Sequence, residues 1–95
     1  MKTVNEIIEI VSKETKVSVK DIINPSRKEN IILARHLSMW ACRWYTRVPM
    51  QKIAAAHGRR NHGTVINACQ SIDSQASYKQ SVKQLCETIV KKINN

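Results

Sequence analysis

Only four residues in this chain of 95 are strong helix breakers: Pro25, Pro49, Gly58 and Gly63. Such scarcity disfavours a turn-rich β fold, whose tight turns demand glycine and proline at short intervals, and favours long helices. The apolar pattern agrees. Val4, Ile7, Ile8 and Val11 recur at the helical period, so residues 3–15 form an amphipathic helix. Val17 and Ser18 break it, and Ser18 caps a short turn, Val19 to Ile23, whose Ile22 and Ile23 plug the core. Asn24-Pro25 stops this piece, because the residue before a proline avoids the helical region. Ser26 and Glu29 have the spacing of a capping box. The helix they open runs to about Tyr45, with Leu33, Leu37, Trp40, Ala41 and Trp44 on its apolar face.

Thr46 to Val48 is a turn, and Pro49 suits the first turn of a helix, where its missing amide costs nothing. Residues 49–57 form a short helix with Ile53 and Ala54 inward, closed by Gly58 as a left-handed residue. Asn61 is a good N-cap for a helix over 62–74, with Val65, Ala68, Cys69 and Ile72 inward. Gln75 to Ser77 breaks again, and Tyr78 to Ile93 closes the chain with Val82, Leu85, Ile89 and Ile93 on one face. No segment alternates with a period of two. The expected fold is all-α, one compact helical domain over residues 1–95.

Charge narrows the function. Sixteen Lys and Arg against seven Asp and Glu leave a net +9, and residues 27–60, with eight bases and Glu29 as the one acid, carry +7 of it. Clustering of this kind points to a polyanion: DNA, RNA or an anionic membrane surface. No stretch approaches the ~18 apolar residues of a membrane span, and Met1 to Val11 has no signal-peptide character. Cys42, Cys69 and Cys86 form no CxxC pair, so they are expected as reduced, buried thiols of a cytoplasmic protein, with no metal or other cofactor. No carboxylate pair faces the basic region, and His57 and His62 have no orienting acid or local nucleophile, so no enzyme is expected. Trp40, Trp44 and Tyr45 fall at core spacing, not on a base-stacking platform, which disfavours RNA.

The helices over 49–57 and 62–74, joined by a short glycine-containing turn, match a helix-turn-helix spanning about 49–74. In that motif the second helix enters the major groove and its first turn reads base edges. Here that turn holds Asn61, His62, Gly63 and Thr64, with Arg59 and Arg60 in front. Arg60 can pair with phosphate, and Asn61 can both donate to and accept from adenine. His62 offers a ring and a nitrogen, Gly63 permits close approach, and Thr64 can bond phosphate beside the helix-terminal amides.

At these residues a resemblance becomes specific. The segment Ile53-Ala54-Ala55-Ala56-His57-Gly58-Arg59-Arg60-Asn61-His62-Gly63-Thr64-Val65-Ile66-Asn67-Ala68 resembles the signature I-G-x-x-F-G-G-R-D-H-T-T-V-L-H-A of the C-terminal DNA-binding domain of DnaA, the bacterial replication initiator. Val17-Ser18-Val19-Lys20-Asp21-Ile22-Ile23 resembles that family's V-x-x-D-L-L element, and Ser26-Arg27-Lys28 with Leu33 to Met39 resembles its S-x-R…A-R-Q-x-A-M element. The resemblance implies a DnaA C-terminal-like fold, akin to the Trp repressor, and double-stranded DNA as partner. It places Arg27 in the minor groove and Arg35, His36, Arg43, Arg60 and Thr64 at phosphates, and Arg59, where the family has glycine, is expected beside them as a further phosphate contact. Met50 and Gln51 match an apolar pair lying against bases, and Asn61, His62 and Gly63 match the base-reading Asp-His-Thr.

The departures fall mainly on the reading positions: Asn61 for Asp, Gly63 for Thr and Met50-Gln51 for Leu-Pro, with His57 for Phe and Arg59 for Gly nearby. No GxxxxGK[ST] phosphate loop occurs, so the family's ATPase module is missing from this chain. The expectation is a sequence-specific DNA-binding protein, either the excised terminal domain of an initiator or, as the changed reading residues favour, a stand-alone protein of altered specificity such as a phage or mobile-element regulator, with other replication proteins as further candidate partners. The alternative is a protein-binding adaptor that reuses the fold.

Overall fold

A computed structural model describes residues 2–95. Its described residues form six helices: α1 (Val4–Thr15), α2 (Val19–Ile23), α3 (Glu29–Tyr45), α4 (Met50–Ala56), α5 (Gly63–Tyr78) and α6 (Gln80–Ile93). The all-α architecture is as expected. α1 is nucleated by a capping box that the sequence reading did not single out. Thr3 Oγ1 accepts the Glu6 amide at 3.1 Å, and the Glu6 carboxylate accepts the Thr3 amide at 2.9 Å.

α3 is the central element and packs against each of the other five helices. Ile31, Ala34, Leu37, Ser38, Ala41 and Cys42 are buried along it at helical spacing. Four of these six are small, which lets α1 and α5 approach the axis closely. α1 contributes Ile7, Ile8 and Val11, α5 contributes Val65, Ala68, Cys69 and Ile72, and α6 contributes Val82, Cys86, Ile89 and Ile93. All three cysteines are buried and free, and burial pushes the Cys42 thiol up to about 12 and the Cys86 thiol to about 11.

Several local expectations are corrected. Trp44 is 55% exposed and does not belong to the core, because the buried side of α3 is set by its small residues. Ile22 is fully buried but Ile23 is not, since adjacent residues of a helix point ~100° apart and in this five-residue helix Ile22 takes the inward direction. The Ser26–Glu29 box does not form. α3 starts at Glu29 itself, and Ser26 Oγ instead accepts the Lys28 amide at 3.3 Å. The break at residues 75–77 is absent too. α5 runs through to Tyr78, helped by a Gln75 Nε2 to Ser71 Oγ bond of 2.9 Å, and Lys79 alone turns the chain into α6. On α6, Cys86 takes the buried place expected of Leu85, which is half-buried.

Candidate nucleic-acid interface

The connection between α4 and α5 is built by hydrogen bonds that leave it little freedom. Gly58 lies at φ +72°, with its amide on the Ala55 carbonyl at 3.0 Å and the Arg59 amide on the Ala54 carbonyl at 2.8 Å. This is the paired closure of a Schellman turn. A Cβ at position 58 would also lie 2.5 Å from the Ile23 carbonyl oxygen, so glycine is required for dihedral and for space. His57, just before it, is fully buried. Its Nδ1 lies 2.7 Å from the Ile53 carbonyl oxygen, and its Nε2 lies 2.7 Å from Ser38 Oγ. A carbonyl can only accept, so Nδ1 carries the proton and the Ser38 hydroxyl donates to Nε2. Burial, reinforced by Arg35 and Arg59, holds the His57 pKa below the ordinary histidine value.

α5 starts at Gly63, with His62 rather than the expected Asn61 at its N-cap position and no side-chain bond from it. Asn61 Oδ1 accepts the Gly63 amide at 2.7 Å, and the Asn61 carbonyl accepts the Thr64 amide and hydroxyl at 3.1 and 2.8 Å. Asn61 thus satisfies the first amides of the helix from one residue further out. Asn61 and His62 are exposed at its head, with Gly63 and Thr64 half-buried behind them. Arg60 is exposed, and its carbonyl accepts Gln51 Nε2 at 2.8 Å, which ties exposed Gln51 on α4 to the turn. Met50 is half-buried rather than free for bases, and its Sδ accepts a hydrogen bond from Arg43 Nη1. The Arg43 guanidinium lies 5.3 Å from the Trp44 ring centre.

Arg35 differs most from the sequence expectation. It was expected on phosphate, yet it is 6% exposed and its guanidinium points into the protein. Nε donates to the Ile22 carbonyl at 2.9 Å, and Nη2 donates to the carbonyls of Asn24 and Ser26. One planar fork thereby holds the α2–α3 loop, on which Arg27 stands exposed. Arg59 Nη2 reaches toward the same Asn24 carbonyl at 3.5 Å, across from the helix-turn-helix.

His36, Arg59 and Thr64 do come together. With Arg35, Met39 and Asn67 they line a cavity of about 160 Å³ in which every charged or titratable side chain is basic. Burial, then Arg35 and Arg59, lowers the His36 pKa. Asn67 was missed by the sequence reading, although its position three residues beyond Thr64 puts it on the same face of α5. Exposed Arg47 and Lys52 flank α4 as further cations that only the charge count had noticed.

No helix among the described residues is long and apolar enough to cross a membrane. A family model described as bacterial dnaA protein helix-turn-helix matches residues 4–72. Among curated relatives, the chromosomal replication initiator protein DnaA of Lachnoclostridium phytofermentans is 30% identical over 92 residues, covering 97% of this chain and 20% of that protein. The same-named protein of Spiroplasma citri is 30% identical over 91 residues, covering 96% of this chain and 20% of its own length. That of Gloeobacter violaceus is 35% identical over 83 residues, covering 87% and 19%. The chain spans about a fifth of the length of these relatives. On this evidence of fold, turn and sequence, the chain belongs to the bacterial DnaA helix-turn-helix family.

Proposed function

We propose that this chain binds double-stranded DNA in a sequence-specific manner, with the head of α5 in the major groove and Arg27 in the adjoining minor groove. The observation that carries this reading is the arrangement around α5. A cavity of about 160 Å³ lined by His36, Arg59 and Thr64, whose titratable side chains are all basic, lies beside a helix end that exposes Asn61 and His62. Phosphates fix register there, and the exposed side chains then meet base edges. The changed residues at positions 50, 51, 61 and 63 favour a site other than the initiator box. They fit a regulator that works apart from an ATPase module, on a phage or mobile element.

The test is duplex binding as a function of salt. Binding through several phosphates gives a log–log slope of about −0.9 per phosphate contacted, and a selected duplex should outcompete a random one. Arg27→Ala and Arg60→Ala should each weaken binding while leaving the melting temperature unchanged, since both side chains are exposed. A protein-binding adaptor would show neither the slope nor the loss.

A further inference from the structure

The two amide side chains on the reading face are each committed by an internal hydrogen bond, and the commitments are opposite. Asn61 uses its one acceptor atom, Oδ1, on the Gly63 amide at 2.7 Å. The reverse amide orientation would set two donors against each other, so the assignment follows from chemistry. Nδ2 then points away from the cap, and no hydrogen bond from it occurs among the described residues. Gln51 does the converse. Its Nε2 donates one of its two hydrogens to the Arg60 carbonyl at 2.8 Å, and Oε1 makes no hydrogen bond among the described residues. Gln51 is thus bonded to the residue next to Asn61 in the turn ahead of α5.

Gly63 belongs to the same device. A Cβ at position 63 would lie 3.1 Å from Asn61 Oδ1 and 3.7 Å from its Cγ. That is tighter than ordinary contact, so any side chain there presses on the capping amide. Glycine at this place leaves the Asn61 orientation unstrained, whereas a Cβ would require the amide to give by a few tenths of an ångström, and it leaves a gap in the reading surface.

We infer that Asn61 presents a hydrogen-bond donor and Gln51 an acceptor to neighbouring base pairs, with Gly63 holding the Asn61 polarity in place. The inference rests on the DNA-binding reading. In the major groove, acceptors are guanine O6 and N7, adenine N7 and thymine O4, while donors are cytosine N4 and adenine N6. Asn61 therefore favours guanine or thymine, which show only acceptors in the major groove, over adenine, which sets its N6 donor beside N7, because the Gly63 amide already engages Oδ1 and ties that oxygen to the turn. Gln51 selects cytosine or adenine at the next.

The experiment is selection from random duplexes with the unaltered chain, N61D, G63A and Q51M, followed by affinities on single-base variants at equal salt. Asn61→Asp keeps an oxygen for the cap and replaces the outward donor by an acceptor. It should move one position of the selected site from guanine or thymine to cytosine or adenine, with discrimination of roughly fivefold or more. Gly63→Ala should blunt discrimination at that same position, and Gln51→Met at the neighbouring one alone. Melting temperatures check that each variant is folded. If N61D binds DNA with the parent's base ranking, the polarity assignment is wrong. If G63A leaves the ranking unchanged, Gly63 does not hold Asn61. If the unaltered chain shows no salt-dependent duplex binding, the DNA reading itself falls, and that failure is distinct from the other two.

Discussion

Replacing Arg35 separates a residue that touches DNA from one that builds the surface touching it. In Arg35→Ala the carbonyls of Ile22, Asn24 and Ser26 lose their donor. A hydrogen bond to a charged group contributes about 1.5–3 kcal/mol. The Nε bond to Ile22 is buried and counts for roughly 2 kcal/mol. The two Nη2 bonds are partly exposed, so water can replace them, and each counts for roughly 0.5 kcal/mol. The expected loss is about 3 kcal/mol, which a domain of ordinary stability survives. At ~4–8 °C per kcal/mol for a chain of this size, the melting temperature should fall by roughly 12–24 °C. Arg35→Lys should recover little of it, because an ammonium cannot span the three carbonyls as a planar fork does. Duplex affinity, measured well below the lowered melting temperature, should also fall, because the loop carrying Arg27 is no longer held. The assay is thermal or urea unfolding beside a salt titration of DNA binding. A melting temperature within about 3 °C of the parent, together with a shallower salt slope, would refute the strut and restore Arg35 as a direct phosphate contact.

Gly58→Ala should cost about 1–2 kcal/mol from the left-handed backbone and more from its Cβ against the Ile23 carbonyl, and Gly58→Asn, tolerant of that dihedral, should still destabilise through the same Cβ contact. Urea midpoints of both variants check this. The His57 pKa is lowered in the fold, so below the ordinary histidine value of ~6.5 the unfolded chain binds the proton and the folded chain does not. Stability should therefore be level above that pH and decline as pH falls toward the lower folded value, and His57→Phe should remove most of this decline in pH-dependent melting. The His36 pKa is lowered too, with Arg35 and Arg59 beside it and Glu29 and Lys79 on its other flank. A phosphate in the cavity would favour the imidazolium, so duplex affinity should rise as pH falls from 7.5 to 6, and His36→Gln should flatten that rise in a binding titration across the range.

Features with a local cause were legible in the sequence. The periods of α1 and α5, the left-handed Gly58 and the bonding of Asn61 to the first amides of α5 each depend on residues within one or two turns of each other. The family signature placed the reading face for the same reason, since its motif is contiguous. What stayed hidden depends on partners far along the chain. An arginine aimed inward at carbonyls 9 to 13 residues away looks like one aimed at solvent, so Arg35 passed for a phosphate contact. The Ser38–His57 pair, 19 residues apart, gave no pattern at all. Gln75-Ala76-Ser77 was taken as a break on composition, yet none of the three is a strong breaker, and the α5–α6 packing carries the helix on to Tyr78. Trp44 misled because aromatic residues at core spacing are usually core, while here small residues claim the buried side of α3.

The hidden contacts share one effect. The Ile23 carbonyl packs against the Gly58 α-carbon, the Asn24 carbonyl is approached by both Arg35 and Arg59, and His57 is pinned to α3 through Ser38. These links join the α2–α3 loop, the α4–α5 turn and the central helix, three segments distant in sequence. Arg27 on the loop and Asn61 at the head of α5, the two parts proposed to meet DNA, are therefore carried on one braced frame, although each stands on a surface exposed to solvent. A minor-groove arginine and a major-groove helix contribute to the same site only if their spacing is fixed before DNA arrives, since each freely moving part would have to be ordered on binding. In this chain the spacing is fixed by backbone carbonyls and buried side chains, while the side chains proposed to choose bases are exposed and brace little beyond their own turn. Changes at positions 51, 61 and 63 can thus redirect the sequence that is read without disturbing the frame. Changes at positions 35, 57 and 58 disturb the frame and should weaken every site alike.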